Sequence, residues 1–148
     1  MNIDKEKIQS YLTKWQQILR LQDWDIKLQI VETVWRKSAD IKINENLRIA
    51  ILLINSNPVC KNLEDLVLHE LLHLKLWPMD QMLESLLVGT FGNDEKDLKY
   101  DFAYGQFMNV LESTVADLTK SFLNQNGENK EISFDGVEKL VNEEIGKI

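Results

Sequence analysis

The sequence predicts an α+β fold, and three observations carry that expectation. Ile8, Leu12, Trp15, Ile18 and Leu19 recur mostly at steps of three and four, the period of an amphipathic helix over roughly residues 4 to 20. Trp24 to Ile30 then alternates apolar with polar residues, as a half-buried strand does. From about residue 63 onward the apolar residues return to helical spacing, so a small sheet is followed by a helical C-terminal half.

Two further strand candidates, Asp40 to Asn44 and Leu47 to Ile54, complete a three-stranded sheet. Glu45-Asn46 between them is compatible with a tight hairpin turn. Asn55-Ser56-Asn57-Pro58 is a turn cluster, and Asn62 can cap the next helix, with Glu64 and Asp65 suited to its positive end. That helix is expected from about Leu63 to Leu76, stopping before Pro78 because the residue preceding a proline disfavours the helical region. A short helix near Met79 to Val88 follows, then the polar stretch 92–97, then a long helix from about Tyr100 to Leu123. Tyr104, Phe107, Met108, Leu111, Val115, Leu118 and Phe122 form its apolar stripe. Asn124 to Lys130 reads as a polar linker, and Val137, Leu140, Val141 and Ile145 mark a final acidic helix. With no internal repeat, residues 1–148 are expected to form a single domain.

Composition narrows the function classes. A net charge of −7 leaves no strongly basic surface, so nucleic acid is not an expected partner. The longest apolar stretches, such as Ile49 to Ile54, fall far short of the ~20 residues that a membrane helix needs. The charged N-terminal residues do not read as a secretory signal. Cys60 is the only cysteine, which excludes an intramolecular disulfide and a cysteine metal cage. It reads as a small buried hydrophobe, and the chain as a cytoplasmic protein with no expected membrane contact.

The chemistry concentrates in His69-Glu70-Leu71-Leu72-His73. Residues four apart lie one turn apart on one helix face, so both imidazoles can address a single ion. Glu70 lies about 100° round the helix from His69, where it can reach a water on that ion rather than join the pair. Only two histidines exist in the chain, and random placement would set them four apart roughly one time in a hundred. The bland alternative is a satisfied pair on a leucine-rich helix. Burial among Leu66, Val67, Leu68, Leu71 and Leu72 would make unpaired imidazoles costly there.

This segment resembles the HExxH motif of the zincin metallopeptidases. The resemblance implies a zincin-like fold, Zn2+ held by His69 and His73, Glu70 as general base, and a peptide or protein as substrate. No third histidine is present, so the remaining ligand is a carboxylate or water. Glu112, at the edge of the long helix's apolar stripe, is similar in placement to the downstream Glu of gluzincins and is preferred over Glu84 and Asp80. Ala116 stands where an Asp often orients a histidine in that group. Trp15, Leu19, Leu21, Trp24 and Ile26 before the motif are similar to the helix-and-strand unit of SprT-like minimal metalloproteases. ImmA/IrrE-like phage or bacterial peptidases resemble the chain in ligand type.

Tyr100 and Tyr104 are candidates to hydrogen-bond an oxyanion, with Tyr104 also fitting the apolar stripe. Arg48 is a weaker candidate for the same role. In the zincin resemblance the last strand before the motif often binds substrate by strand addition, which requires a free sheet edge. A structural zinc in an interaction protein, whose final helix docks a partner, and an amidohydrolase of non-peptide amides are the competing expectations.

Overall fold

The computed structural model describes residues 3–94, 96–132 and 134–146. Among them the chain forms five helices and one three-stranded mixed sheet, the α+β class expected. Helix α1 (Lys5–Ile18) starts at Asp4, whose carboxylate accepts the Lys7 N–H at 3.0 Å. It buries Ile8, Tyr11, Leu12 and Trp15, the stripe its periodicity required.

Strands β1 (Asp25–Val31), β2 (Ala39–Asn44) and β3 (Ile49–Asn55) lie in the order β1-β3-β2. β3 is therefore central, parallel to β1 and antiparallel to β2. Leu28, Ile41, Ala50, Leu52 and Ile54 are buried in the core on the sheet's inner face, whereas Ile49 and Ile51 stay exposed on the other. The hairpin differs from expectation. Asn44 pairs with Ile49, so Leu47 and Arg48 belong to a four-residue turn, not to the strand. The Asn44 carboxamide accepts the Leu47 N–H at 3.1 Å, and Arg48 adopts a left-handed φ of 54° to close the turn.

Helix α2 (Leu63–Lys75) carries the motif. Asn62 caps it by accepting the Asp65 N–H at 3.1 Å, and Leu66, Val67, Leu68, Leu71, Leu72 and Leu74 are buried. Leu76 alone separates it from α3 (Trp77–Phe91), which is longer than the short helix expected. Pro78 sits in the first turn of α3, where a missing N–H costs no helical bond. Helix α4 (Leu98–Asn126) starts at Asp97, and α5 (Asp135–Glu144) follows a short strap. The fully buried face of α4 is Leu111, Val115, Thr119 and Leu123. Tyr104, Phe107, Met108, Leu118 and Phe122 are only half-buried. Sequence patterning passed over Thr119 because of its hydroxyl, which donates to the Val115 carbonyl at 2.7 Å and needs no outside partner. Cys60 is likewise half-buried, and its thiol lies 3.7 Å from the Asn62 carbonyl oxygen.

The expected linker after α4 is pinned to the body. Glu64 is fully buried and accepts Lys14 Nζ at 2.9 Å, Trp15 Nε1 at 2.7 Å and the backbone N–H groups of Glu128 and Asn129 at 2.8 and 2.9 Å. The Asn62 carboxamide donates to the carbonyls of Asn129 and Glu131. Gly127 makes this turn possible, since a Cβ there would stand 2.5 Å from the Leu123 carbonyl oxygen. By contrast, Val137, Leu140 and Val141 on α5, and Ile145 just after it, are all exposed.

Burial pushes the Glu64 carboxyl up, but Lys14, the two backbone donors and Trp15 outweigh it and hold it below its ordinary value. Its contribution to stability is thus present above the ordinary carboxylate range and lost as pH falls through and below it. Glu64→Ala strands a lysine, an indole and two backbone donors. We expect a loss of about 3–5 kcal/mol in urea denaturation at pH 7, shrinking towards pH 3.

Candidate metal centre

The motif side chains leave α2 on the side facing α4 and the edge strand β2. The two helices run antiparallel, because Glu64 meets residues 128 and 129 while His69 and His73, further along α2, meet Glu112. Leu66, Val67, Leu71 and Leu74 in the core fix the rotation of α2, which turns His69 and His73 outward as a half-buried pair. Their ring centroids are 5.1 Å apart.

Glu112 reaches both histidines. One carboxylate oxygen lies 3.0 Å from His73 Nε2 and the other 3.5 Å from His69 Nε2. Two donors sharing a tetrahedral zinc with bonds of about 2.0–2.2 Å stand about 3.3–3.6 Å apart, so this spacing is close to that of a shared ion. His69, Glu70 and His73 also bring one ligand atom each within 4.8 Å of the others. The donor set of two imidazoles and carboxylates is the nitrogen and oxygen chemistry that zinc accepts.

Electrostatics agree with that fit. Burial lowers the His69 pKa, helped by the charge of His73 and opposed by Glu112, which favours the neutral ring whose lone pair binds metal. Glu70 is 8% exposed, and its carboxyl makes no hydrogen bond among the described residues. Burial, then the charges of Asp40 and Glu112, push it up to about 8. At neutral pH such a carboxyl is protonated and cannot act as a base; a divalent cation alongside would return it to the ionised form.

These groups open into a cleft of about 640 Å3 between α3 and α4 on one side and β2 on the other. Tyr104, Met108 and Trp77 line it, and Tyr104 stacks on Tyr100 with ring centroids 5.9 Å apart. Asp80 and Glu84, the other acids weighed as ligands, also line it from α3, where the Gln81 amide donates to both at 3.3 and 3.2 Å. Burial, then neighbouring Glu84, raise the Asp80 carboxyl. Neither acid is among the carboxylates paired with the motif histidines, a position Glu112 holds.

Arg48 lies elsewhere. Its guanidinium pairs with Asp23 at 3.1 Å and covers the Trp24 ring, which removes it from the oxyanion candidates. The sequence reading missed the β2 wall, where Lys37 and Lys42 both pair with Asp40, at 2.9 and 3.3 Å. Burial pushes Asp40 up, but Lys37, the Ile41 N–H and Lys42 hold it below its ordinary value. The signal was available in two lysines flanking one acid beside an alternating strand. A roomier cavity of about 840 Å3 near Trp24 has Asp25, Lys27 and Lys42 as its ionisable lining, a set without a metal-binding pair.

Comparison with known protein-family profiles, characterised proteins and solved structures finds no match for the chain.

The raised Glu70 carboxyl gives a test with a definite sign. Its stabilising contribution in metal-free protein is full below its unfolded value near 4.5 and lost as pH rises through about 8. Glu70→Gln in EDTA-treated protein is therefore expected to raise the thermal unfolding midpoint at pH 9 and leave it nearly unchanged at pH 5. Equal shifts at both pH values would reject this electrostatic account.

Proposed function

We propose that this chain is a zincin-like hydrolase of the gluzincin type that cleaves peptide bonds, with His69, His73 and Glu112 as zinc ligands. The observation that carries this reading is the approach of Glu112, 39 residues beyond His73 in sequence, to the Nε2 atoms of both motif histidines. Zinc bound there would supply Lewis-acid chemistry, lowering the pKa of a water and polarising a carbonyl.

The remaining roles belong to the chain. Glu70 accepts the proton of the attacking water and returns it to the leaving amine, which suits a carboxyl held in a low-polarity pocket. Tyr104, on the cleft wall, donates to the oxygen that gains charge as the carbonyl is attacked. β2 lines the cleft and pairs only with β3 among the described residues, so its other edge can take an extended peptide as a further strand. The resemblance assigned that task to the strand before the motif helix, but β3 is central and both of its edges are paired.

One observation favours a second reading, a structural zinc. Glu70 lies close enough to both histidines to coordinate directly, and with Glu112 it would make four protein ligands, the closed set of structural sites. The open cleft argues for catalysis.

Metal analysis of protein purified without added metal separates these readings. We expect one zinc per chain in wild type, at least tenfold weaker zinc binding in Glu112→Ala, and full zinc retention in Glu70→Gln with peptide hydrolysis reduced at least a hundredfold, within the range of lost general-base catalysis. Loss of zinc from Glu70→Gln would instead make Glu70 a ligand and the site structural. Retained zinc in Glu112→Ala would sink the ligand assignment.

A further inference from the structure

Two apolar surfaces of this chain are left uncovered among the described residues. One is the outer face of the sheet, where Ile49 and Ile51 on the central strand are exposed and border the cavity of about 840 Å3. The other is α5, whose Val137, Leu140 and Val141, with Ile145 just after it, recur at the spacing of one helix face. Charge matches these surfaces to each other. The strand register sets Lys27 on β1 and Lys42 on β2 directly beside Ile51, so the apolar column is flanked by an ammonium group on each side. Lys27 makes no ion pair among the described residues, and Lys42 shares the single Asp40 carboxylate with Lys37. Asp25 stands in the next row, beside Ile49. On α5 the order is the same with opposite sign. At about 100° per residue, Glu138 borders the apolar stripe on one side and Glu143 on the other, while Lys139 falls on the back of the helix.

We propose that α5 of one copy of this chain lies on the outer sheet face of a second copy, and that the exchange is reciprocal, giving a two-fold dimer. The apolar stripe of the helix would cover Ile49 and Ile51, with its flanking glutamates set against Lys27 and Lys42. The partner is a second copy because the strap holds α5 away from this face of its own chain. Glu64 and Asn62 pin the strap within the helix layer, on the opposite side of the sheet, and only three residues separate Glu131 from α5, a reach of roughly 10–14 Å. Reciprocity follows from size. A ten-residue helix is only about 15 Å long and by itself offers less than the roughly 1,600 Å2 that a stable interface buries. Exchanging both helices doubles the contact and closes the assembly at two copies.

Sedimentation equilibrium of the full chain at micromolar concentrations is expected to give a dimer. Leu140→Asp, on an exposed helix outside the core, should raise the dissociation constant about a hundredfold, because it breaks both contacts at once. Ile51→Asp should do the same from the sheet side. An equimolar mixture of the two variants keeps one intact contact, the unaltered helix on the unaltered sheet, and should associate more tightly than either variant alone. Lys27→Glu, exposed on the edge strand β1, leaves the apolar column whole and serves as the sheet-side variant where Ile51→Asp does not fold. Its dimer should be about tenfold weaker at low salt, with the difference fading at high salt. A wild type that stays monomeric, with α5 free or folded onto its own chain, would overturn the proposal. So would assembly beyond two chains, a dimer that persists in Leu140→Asp or is indifferent to Lys27→Glu, or a mixture of variants that gains nothing.

Discussion

The seating of α4 against α2 is the contact on which the rest depends, and it is held at one end by a buried charge. Glu64 draws together α1 through Lys14 and Trp15, its own helix, and the strap that leaves α4. An uncompensated carboxylate in that position would be strongly destabilising, so folding can proceed only with these partners assembled. The strap must turn sharply at Gly127 to present its N–H groups, and that turn sets where α4 ends. Once the end is set, helix geometry and the buried Leu111, Val115, Thr119 and Leu123 decide which residue stands opposite the motif.

The candidate metal site and the Glu64 clamp lie on the same pair of helices at different points. The clamp lies in the first turn of α2 and the histidines lie in its second half, so the approach of Glu112 to them, from a separate helix, inherits its spacing from packing rather than from a loop. α3 follows α2 after a single residue, which brings Trp77, Asp80 and Glu84 to the mouth of the site.

Much of this was legible in the sequence because it is local. The helix of His69 and His73, its Asn62 cap and the three strands all follow from spacing and capping within a few residues. The approach of Glu112 to the motif histidines was foreshadowed for a different reason: it is an acid bordering an apolar stripe. Strand order was not legible, because nothing in β3 itself distinguishes a central from an edge strand when one of its faces stays open. The Glu64 clamp was hidden as well. A glutamate in a first helical turn already satisfies the helix dipole, and only tertiary structure reveals its other partners. Arg48 read as free charge because its pairing with Asp23 depends on the turn closing.

β2 has a further consequence for how the molecule behaves among its own copies. An unpaired strand is a template for any other strand, and a sheet with Ile49 and Ile51 exposed on one face has apolar surface to offer a newcomer. The six residues of β2 meet this with charge: Lys42 and Asp40 stand on the strand, Lys37 just before it, and the Asp40 carboxylate already accepts the Ile41 N–H at 2.8 Å. A strand that joins here, a peptide substrate included, must displace that bond and accommodate three charges, which disfavours indiscriminate stacking of copies. The same groups that border the cleft thus oppose pairing of β2 with the β2 of another copy.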